Sequence, residues 1–146
     1  MTQNLATQLA AGLKALGLNL DAVQQEKLLA YVALLAKWNK VYSLTAIREP
    51  VRMVAHHLLD SLAPLPHMQG ESIRILDVGS GFGTPGIPLA IARPDVQVVL
   101  VESNGKKARF LREAQRQLAL ANVVVREARA ESGKPGEVDA VVARAL

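Results

Sequence analysis

Ile73-Arg-Ile-Leu-Asp-Val-Gly-Ser-Gly-Phe-Gly-Thr84 decides how the rest of the chain is read. Ile73 to Val78 is a short apolar run of strand length. Three glycines at alternate positions then make a turn that lets the backbone approach a bound ligand closely. A helix from about Gly86 to Ala92 follows. The spacing excludes two common nucleotide loops. In G-x-G-x-x-G the third glycine would fall at Thr84, and it comes one residue early, at Gly83. A phosphate-cradling P-loop needs Gly-Lys-Ser/Thr, which does not follow. Asp77, two residues before Gly79, would repel a pyrophosphate but suits a ligand with an ammonium group, such as the methionine end of S-adenosylmethionine. The loop residues expected to bind cofactor are Asp77, Gly79, Gly81, Gly83 and Thr84.

The pattern continues on the C-terminal side. Arg93-Pro-Asp95 breaks the helix, Val96 to Val101 reads as a second strand, and Asn104 to Leu118 as a long amphipathic helix. Val123 to Arg126 and Val138 to Ala143 are the third and fourth strands. Alternating strands and helices imply a parallel sheet with helical crossovers. Glu102, at the end of the second strand and 23 residues beyond Gly79, is placed to accept hydrogen bonds from two ribose hydroxyls. It would also repel a 2′-phosphate, which disfavours NADP. Ligands of such sheets lie across the carboxyl ends of the strands, so Glu127-Ala-Arg129-Ala130-Glu131 and Arg144 are expected at the same edge.

On the N-terminal side the chain is helical. Gln3 to Leu16 forms a helix ended by Gly17, and Asp21 caps a second running from Ala22 to Tyr42. Glu49-Pro50 opens a third that reaches Leu62 and stops at Ala63-Pro-Leu-Pro66. Residues 1–70 are therefore read as a small helical region. Residues 71–146 are read as a Rossmann-like S-adenosylmethionine-binding region whose sheet is incomplete at its C-terminal end. A sheet that stops after its fourth strand leaves a long apolar edge. That reads as a longer protein cut short, with strands supplied by a partner as the alternative.

Composition narrows the class. The 146 residues carry a net charge of +4, with eleven Lys/Arg against eight Asp/Glu from Ile73 onward. Mild basicity is compatible with a nucleic-acid substrate. The absence of cysteine excludes a disulfide scaffold and cysteine-ligated zinc within these residues. His56 and His57 are adjacent on a helix and point about 100° apart, so they do not suit one metal ion. No apolar run approaches the roughly 20 residues of a membrane span, and the first residues lack a signal-peptide pattern. A cytoplasmic protein without membrane or metal is expected, and a monomer. Lys106, Arg109, Arg112 and Arg116 share one side of the Asn104–Leu118 helix, as either a solvated face or an RNA-phosphate surface. Tyr31, Trp38 and Tyr42 could stack on bases, but their helical spacing favours core packing. His57, with Asp60, is expected to fix its helix against the glycine loop.

Four segments together resemble one family. They are Trp38-Asn-Lys-Val-Tyr-Ser-Leu-Thr45, His57-Leu-Leu-Asp-Ser61, Leu76-Asp-Val-Gly-Ser-Gly-Phe-Gly-Thr-Pro-Gly-Ile-Pro88 and Gly105-Lys-Lys-Ala-Arg-Phe-Leu111. In order and spacing they are similar to the bacterial 16S ribosomal RNA (guanine-N7) methyltransferase family, RsmG or GidB. Asp139-Ala-Val-Val-Ala-Arg-Ala145 resembles the segment preceding the family's last third. The resemblance implies a class I, Rossmann-like α/β methyltransferase sheet after an N-terminal helical region. It implies S-adenosylmethionine as cofactor, S-adenosylhomocysteine as product and a decoding-region guanine of small-subunit 16S RNA as substrate. It also implies cofactor contacts at Gly79, Thr84, Ala130, Glu131 and Arg144. Family members often carry a bulkier apolar residue at the position of Thr84, which points to a backbone contact there.

The chemistry agrees with that implication. Guanine N7 has an in-plane lone pair and no proton, so no general base is needed, and positioning carries the rate. No acid–base pair stands out in the chain. Carbon methylation would call for a cysteine nucleophile, and the Asn-Pro-Pro-aromatic signature of exocyclic-amine methylation is not at the end of the fourth strand, where Arg144-Ala-Leu146 stands instead. Two other readings remain: another Rossmann-like enzyme using a nucleotide cofactor such as NAD, and a cofactor-silent RNA-binding relative or fragment.

Overall fold

The computed structural model describes residues 2–68, 70, 73–129 and 140–143. Two helices open the chain, α1 (Thr2–Ala15) and α2 (Ala22–Tyr42). The start of α2 is fixed by a reciprocal cap. Asp21 Oδ1 accepts from Gln24 N at 2.8 Å, and Gln24 Oε1 accepts from Asp21 N at 2.9 Å. The Gln24 amide also donates to Ile91 O and Ala92 O at 3.2 and 3.0 Å. One residue therefore starts α2 and ties it to a helix 67 residues away. At its other end α2 stops where Ser43 turns left-handed, at φ 52°.

The third helix expected from sequence is built in three pieces. These are α3 (Pro50–Met53), a π-helical stretch (Val54–Leu59) and α4 (Asp60–Leu62). The wider π turn carries His57, whose side chain is buried. A single 3₁₀ turn (Leu65–His67) leads on toward the sheet.

Strands β1 (Arg74–Val78), β2 (Gln97–Glu102), β3 (Val123–Glu127) and β4 (Ala140–Ala143) form one parallel sheet in the order β3-β2-β1-β4. Helices α5 (Gly86–Ala92) and α6 (Gly105–Gln117) lie between β1 and β2 and between β2 and β3 in sequence. The central strands bury alternate and near-continuous apolar side chains, among them Ile75, Val98 and Leu100. Relative to the sequence expectation, β2 starts and ends one residue later. Val96 N donates to Arg93 O, which keeps Val96 in the turn, and Glu102 is drawn into the ladder opposite Glu127.

One hydrophobic cluster joins both parts of the chain. Leu28, Tyr31, Val32 and Leu35 of α2 belong to it with Ile87 of α5, Leu100 of β2, and Phe110 and Leu111 of α6. The N-terminal helices are thus packed on the sheet layer. Among the described residues, no helix is long and apolar enough to cross a membrane.

Candidate functional site

The loop between β1 and α5 sits at the carboxyl ends of the strands. Gly79, Gly81 and Gly83 have φ of 70°, 60° and 103°, all in the region that favours glycine. The turn is held on the sheet by Gly79 N and Ser80 N, which donate to Val101 O at 2.9 and 3.1 Å. Gly83 N donates to Ser80 O at 2.8 Å, closing the turn, and the Thr84–Pro85 peptide is cis.

Three of the glycines have different surroundings. A Cβ on Gly83 would run into Ile87 and Leu111, and one on Gly86 would come within 2.7 Å of Asp77 Oδ2. A Cβ on Gly81 would meet nothing within 4 Å. The loop therefore presses its Gly83 and Gly86 faces into the protein and leaves Gly81 facing open space, where a ligand can approach.

Asp77 is buried beneath this loop, with no solvent exposure, and its Oδ2 accepts from Gly86 N at 3.0 Å. Its own carbonyl accepts from Ser80 Oγ at 2.8 Å. From beneath the loop Asp77 anchors the first residue of α5. Sequence reading missed Gly86 as its partner, although Gly86 is the glycine that follows Pro85 where α5 begins.

Glu102 is also nearly buried, at 7% exposure. Its Oε1 accepts from Gly81 N at 2.7 Å and its Oε2 from Asn104 N at 2.8 Å. Asn104 in turn caps α6, accepting from Lys107 N at 3.1 Å. One carboxylate thus fixes the middle glycine of the loop and the entry to α6. A carboxylate has about four lone-pair sites, so each oxygen retains capacity for a further donor.

The helical region holds the loop from a third side. Tyr31 of α2 is fully buried and donates its hydroxyl to Phe82 O at 2.6 Å. The His57 ring lies 4.6 Å from the Phe82 ring, centroid to centroid, which places His57 against the loop as expected. The atom at its Nε2 is Thr45 Oγ1, at 3.0 Å, and Thr45 N donates to Asn39 Oδ1 at 2.8 Å. The side chains of the Trp38–Thr45 and His57–Ser61 segments therefore meet beside the glycine loop. The bond from Tyr31 to the loop and the contact of Thr45 with His57 were invisible to local pattern reading. Helical spacing placed Tyr31 in the core, and nothing in the sequence linked it to Phe82.

Thr84 is buried within the loop. Glu127 ends β3, and Ala128 N donates to Glu102 O at 3.0 Å, which keeps the start of the Glu127–Arg129 segment at the same edge. Ala130, Glu131 and Arg144, the other expected cofactor contacts, lie outside the described residues. Lys106, Arg109, Arg112 and Arg116 of α6 are exposed, but not all are available to a partner. Arg112 pairs with Glu127 at 3.2 Å and Arg116 pairs with Glu113. Gln117 and Arg116 together hold the Glu113 carboxyl below the usual carboxylate range. Lys106 Nζ sits 5.8 Å from the Tyr42 ring centroid, and Arg109 forms no ion pair among the described residues. Trp38 packs against Phe110 and Tyr42 with centroids at 5.5 and 5.4 Å, so these aromatics serve the packing of α2 on α6.

A crystal structure of coclaurine N-methyltransferase bound to N-methylheliamine and SAH shares this shape. Its TM-score is 0.51 at 17% identity, over 97% of this chain and 50% of that one. The fold is that of the Rossmann-like, class I S-adenosylmethionine-dependent methyltransferases. Sequence comparison is more specific. Ribosomal RNA small subunit methyltransferase G of Nitrosospira multiformis is 59% identical over 122 residues, which are 84% of this chain and 56% of that protein. The protein of the same name from Pseudomonas aeruginosa is 50% identical over 100% of this chain and 68% of its own length. Residues 24–146 match the GidB family, described as rRNA small subunit methyltransferase G, and the chain belongs to that family. It spans 56% to 68% of the length of these two relatives.

Proposed function

We propose that this chain carries the S-adenosylmethionine-binding part of a methyltransferase that modifies N7 of a guanine in 16S ribosomal RNA of the small subunit. Membership of the GidB family across residues 24–146 is the observation that carries the reading, since that span includes the whole glycine loop and Glu102.

The site fits the cofactor on its own chemistry. Two buried carboxylates, Asp77 and Glu102, lie under and beside a loop whose open face is Gly81. Such a site disfavours a phosphate-rich ligand and favours a cationic one. Gly79, Gly81, Gly83 and Thr84 would line the methionine end, and Glu102 would take the ribose hydroxyls with its remaining lone pairs. Ala130, Glu131 and Arg144 are proposed for the adenine side on the family resemblance alone. Asp77 contributes through charge and by anchoring α5. When bound, the cofactor supplies a methyl group made electrophilic by its sulfonium.

The residues of this chain have a positioning task. Guanine N7 carries a lone pair and no proton, so no side chain has to act as a base. Holding the loop rigid fixes the line of approach, and such orientation is worth several orders of magnitude in rate. Asp77, Glu102 and Tyr31 supply that rigidity from three directions. Lys106 and Arg109, which carry no carboxylate partner among the described residues, are the better candidates on α6 for contact with RNA phosphates.

Calorimetric titration with S-adenosylmethionine and, separately, NAD tests the cofactor assignment. Saturable binding of the former and none of the latter is expected. Preference for NAD would refute the reading. Transfer of a labelled methyl group to small subunits lacking the modification, with the label mapped to guanine N7, tests the substrate. Label on carbon or on an exocyclic amine would refute the N7 assignment.

A further inference from the structure

The C-terminal half of α2 and the segment that follows it form a cleft of about 370 Å³ lined by Ala36, Asn39, Lys40, Ser43, Arg48 and Pro50. Its walls hold two cations, an amide and a hydroxyl, and no carboxylate. Lys40 and Arg48 are exposed and form no ion pair among the described residues, whereas Arg52 nearby pairs with Glu49 at 3.6 Å. Asn39 adds a more specific feature. It is 8% exposed, and its Oδ1 is taken by Thr45 N at 2.8 Å. That bond orients the amide and leaves Nδ2 with no hydrogen bond among the described residues. Asn39 Nδ2 is thus a solvent-reached donor in the wall of a cation-bearing cleft.

We infer that this cleft binds a backbone phosphate of the RNA substrate, with Lys40 and Arg48 as the charge partners and Asn39 Nδ2 as the orienting donor. The inference rests on the RNA methyltransferase reading above and adds the surface that holds the strand. The electrostatics decide in its favour. The C-terminus of α2 places about half a negative charge near Ser43, which opposes an anion, but two full cations outweigh it. The position is also apt. Asn39 holds Thr45, Thr45 touches His57, and the His57 ring packs on Phe82 of the glycine loop. These contacts link the wall of the cleft to the glycine loop. The α6 residues Arg112 and Arg116, by contrast, already hold carboxylates of their own chain.

The test is the affinity of the chain for protein-free 16S ribosomal RNA as a function of salt, for the wild type and for Lys40→Gln/Arg48→Gln. Both residues are exposed, so the double variant should melt like the wild type. One single-strand phosphate contact contributes about 0.7 to the slope of log K against log salt. Its loss should therefore flatten the slope by about that amount and weaken binding ~5-fold at 0.1 M salt. The charge-matched control Lys14→Gln/Lys27→Gln should leave both unchanged, and Lys40→Glu/Arg48→Glu should weaken binding further. An unchanged slope and affinity in the Lys40/Arg48 variant would overturn the inference, as would an equal loss in the control. Absence of RNA binding by the wild type would overturn it too. Titration of the same samples with S-adenosylmethionine then tells whether the methyltransferase reading falls with it or stands alone.

Discussion

Alanine substitutions at Gly81 and at Gly86 should separate the ligand face of the loop from its packing face. At Gly86 the new methyl would come within 2.7 Å of Asp77 Oδ2 and also meet Leu100. Relieving that overlap costs about 1–3 kcal/mol. Moving the backbone away from Asp77 weakens a buried hydrogen bond to a charged group, worth about 1.5–3 kcal/mol. Alanine's helix propensity returns about 1 kcal/mol. The net expectation is a loss of about 2–4 kcal/mol, or on the order of 10 °C in melting temperature for a chain of this size. Gly81→Ala meets no neighbour and pays only the left-handed penalty of about 1–2 kcal/mol. Its methyl would, however, stand on the open face, where it should weaken S-adenosylmethionine binding at least tenfold, or about 1.4 kcal/mol. Thermal melts and calorimetry on both variants read the two effects apart. Gly86→Ala melting at or above wild type would refute the packing account. Gly81→Ala binding cofactor as tightly as wild type would refute the assignment of the open face.

Glu102→Gln leaves one acceptor oxygen for two backbone donors, Gly81 N and Asn104 N. A stability loss of about 1.5–3 kcal/mol is expected, measured by urea unfolding, with weaker cofactor binding in the same variant; a neutral substitution would remove Glu102 as the hinge between loop and α6. Tyr31→Phe keeps the buried ring and deletes the bond to Phe82 O, so stability should fall by about 1 kcal/mol. Amide exchange in the Gly79–Gly83 loop should quicken, and unchanged exchange there would mean that α2 does not restrain the loop. Asp95 is held below its ordinary 3.8 by its hydrogen bond from Arg93, at 2.6 Å, and Arg93 also donates to Met68 O and Gly70 O. A depressed carboxyl stabilises the fold above its unfolded pKa and loses that effect as pH falls through the folded value. The gap in melting temperature between wild type and Asp95→Asn should therefore shrink below pH 3.8. For this half-exposed pair the gap is worth under about 1 kcal/mol, and a gap constant down to pH 2 would contradict the pairing.

Local chemistry was legible in the sequence, and long-range chemistry was not. Asp21 fixes the start of α2 because a cap is a contact between residues three apart, and the expected span Ala22–Tyr42 is the observed one. The third helix was read as one regular element because apolar spacing cannot report the wider π turn at Val54–Leu59. Glu102 was found as the acid after the second strand, but not its grip on Gly81, which lies 21 residues earlier. Asp77 was found as the acid before the glycines, but its direction depends on where Gly86 N lies once α5 packs against Leu100. That geometry exists only in the folded chain. Tyr31 and Phe82, 51 residues apart, carry no pattern in common at all.

Those distant contacts explain why a helical region precedes this sheet. A glycine-rich loop is intrinsically loose, because each glycine has left-handed and right-handed conformations open to it. Ordering such a loop only when ligand arrives would cost about 1–2 kcal/mol of backbone entropy per residue, taken directly from affinity. Here the sheet supplies Val101 O and Glu102, and the loop's own strand supplies Asp77. Tyr31 and His57, both from the helical region, restrain Phe82, which lies between Gly81 and Gly83. The open face at Gly81 is then a rigid one before any ligand is bound. If the helices serve that purpose, their removal should weaken cofactor binding even where the sheet itself survives. The Tyr31→Phe variant is the smallest perturbation that asks the question, because it cuts the tether and leaves the core filled.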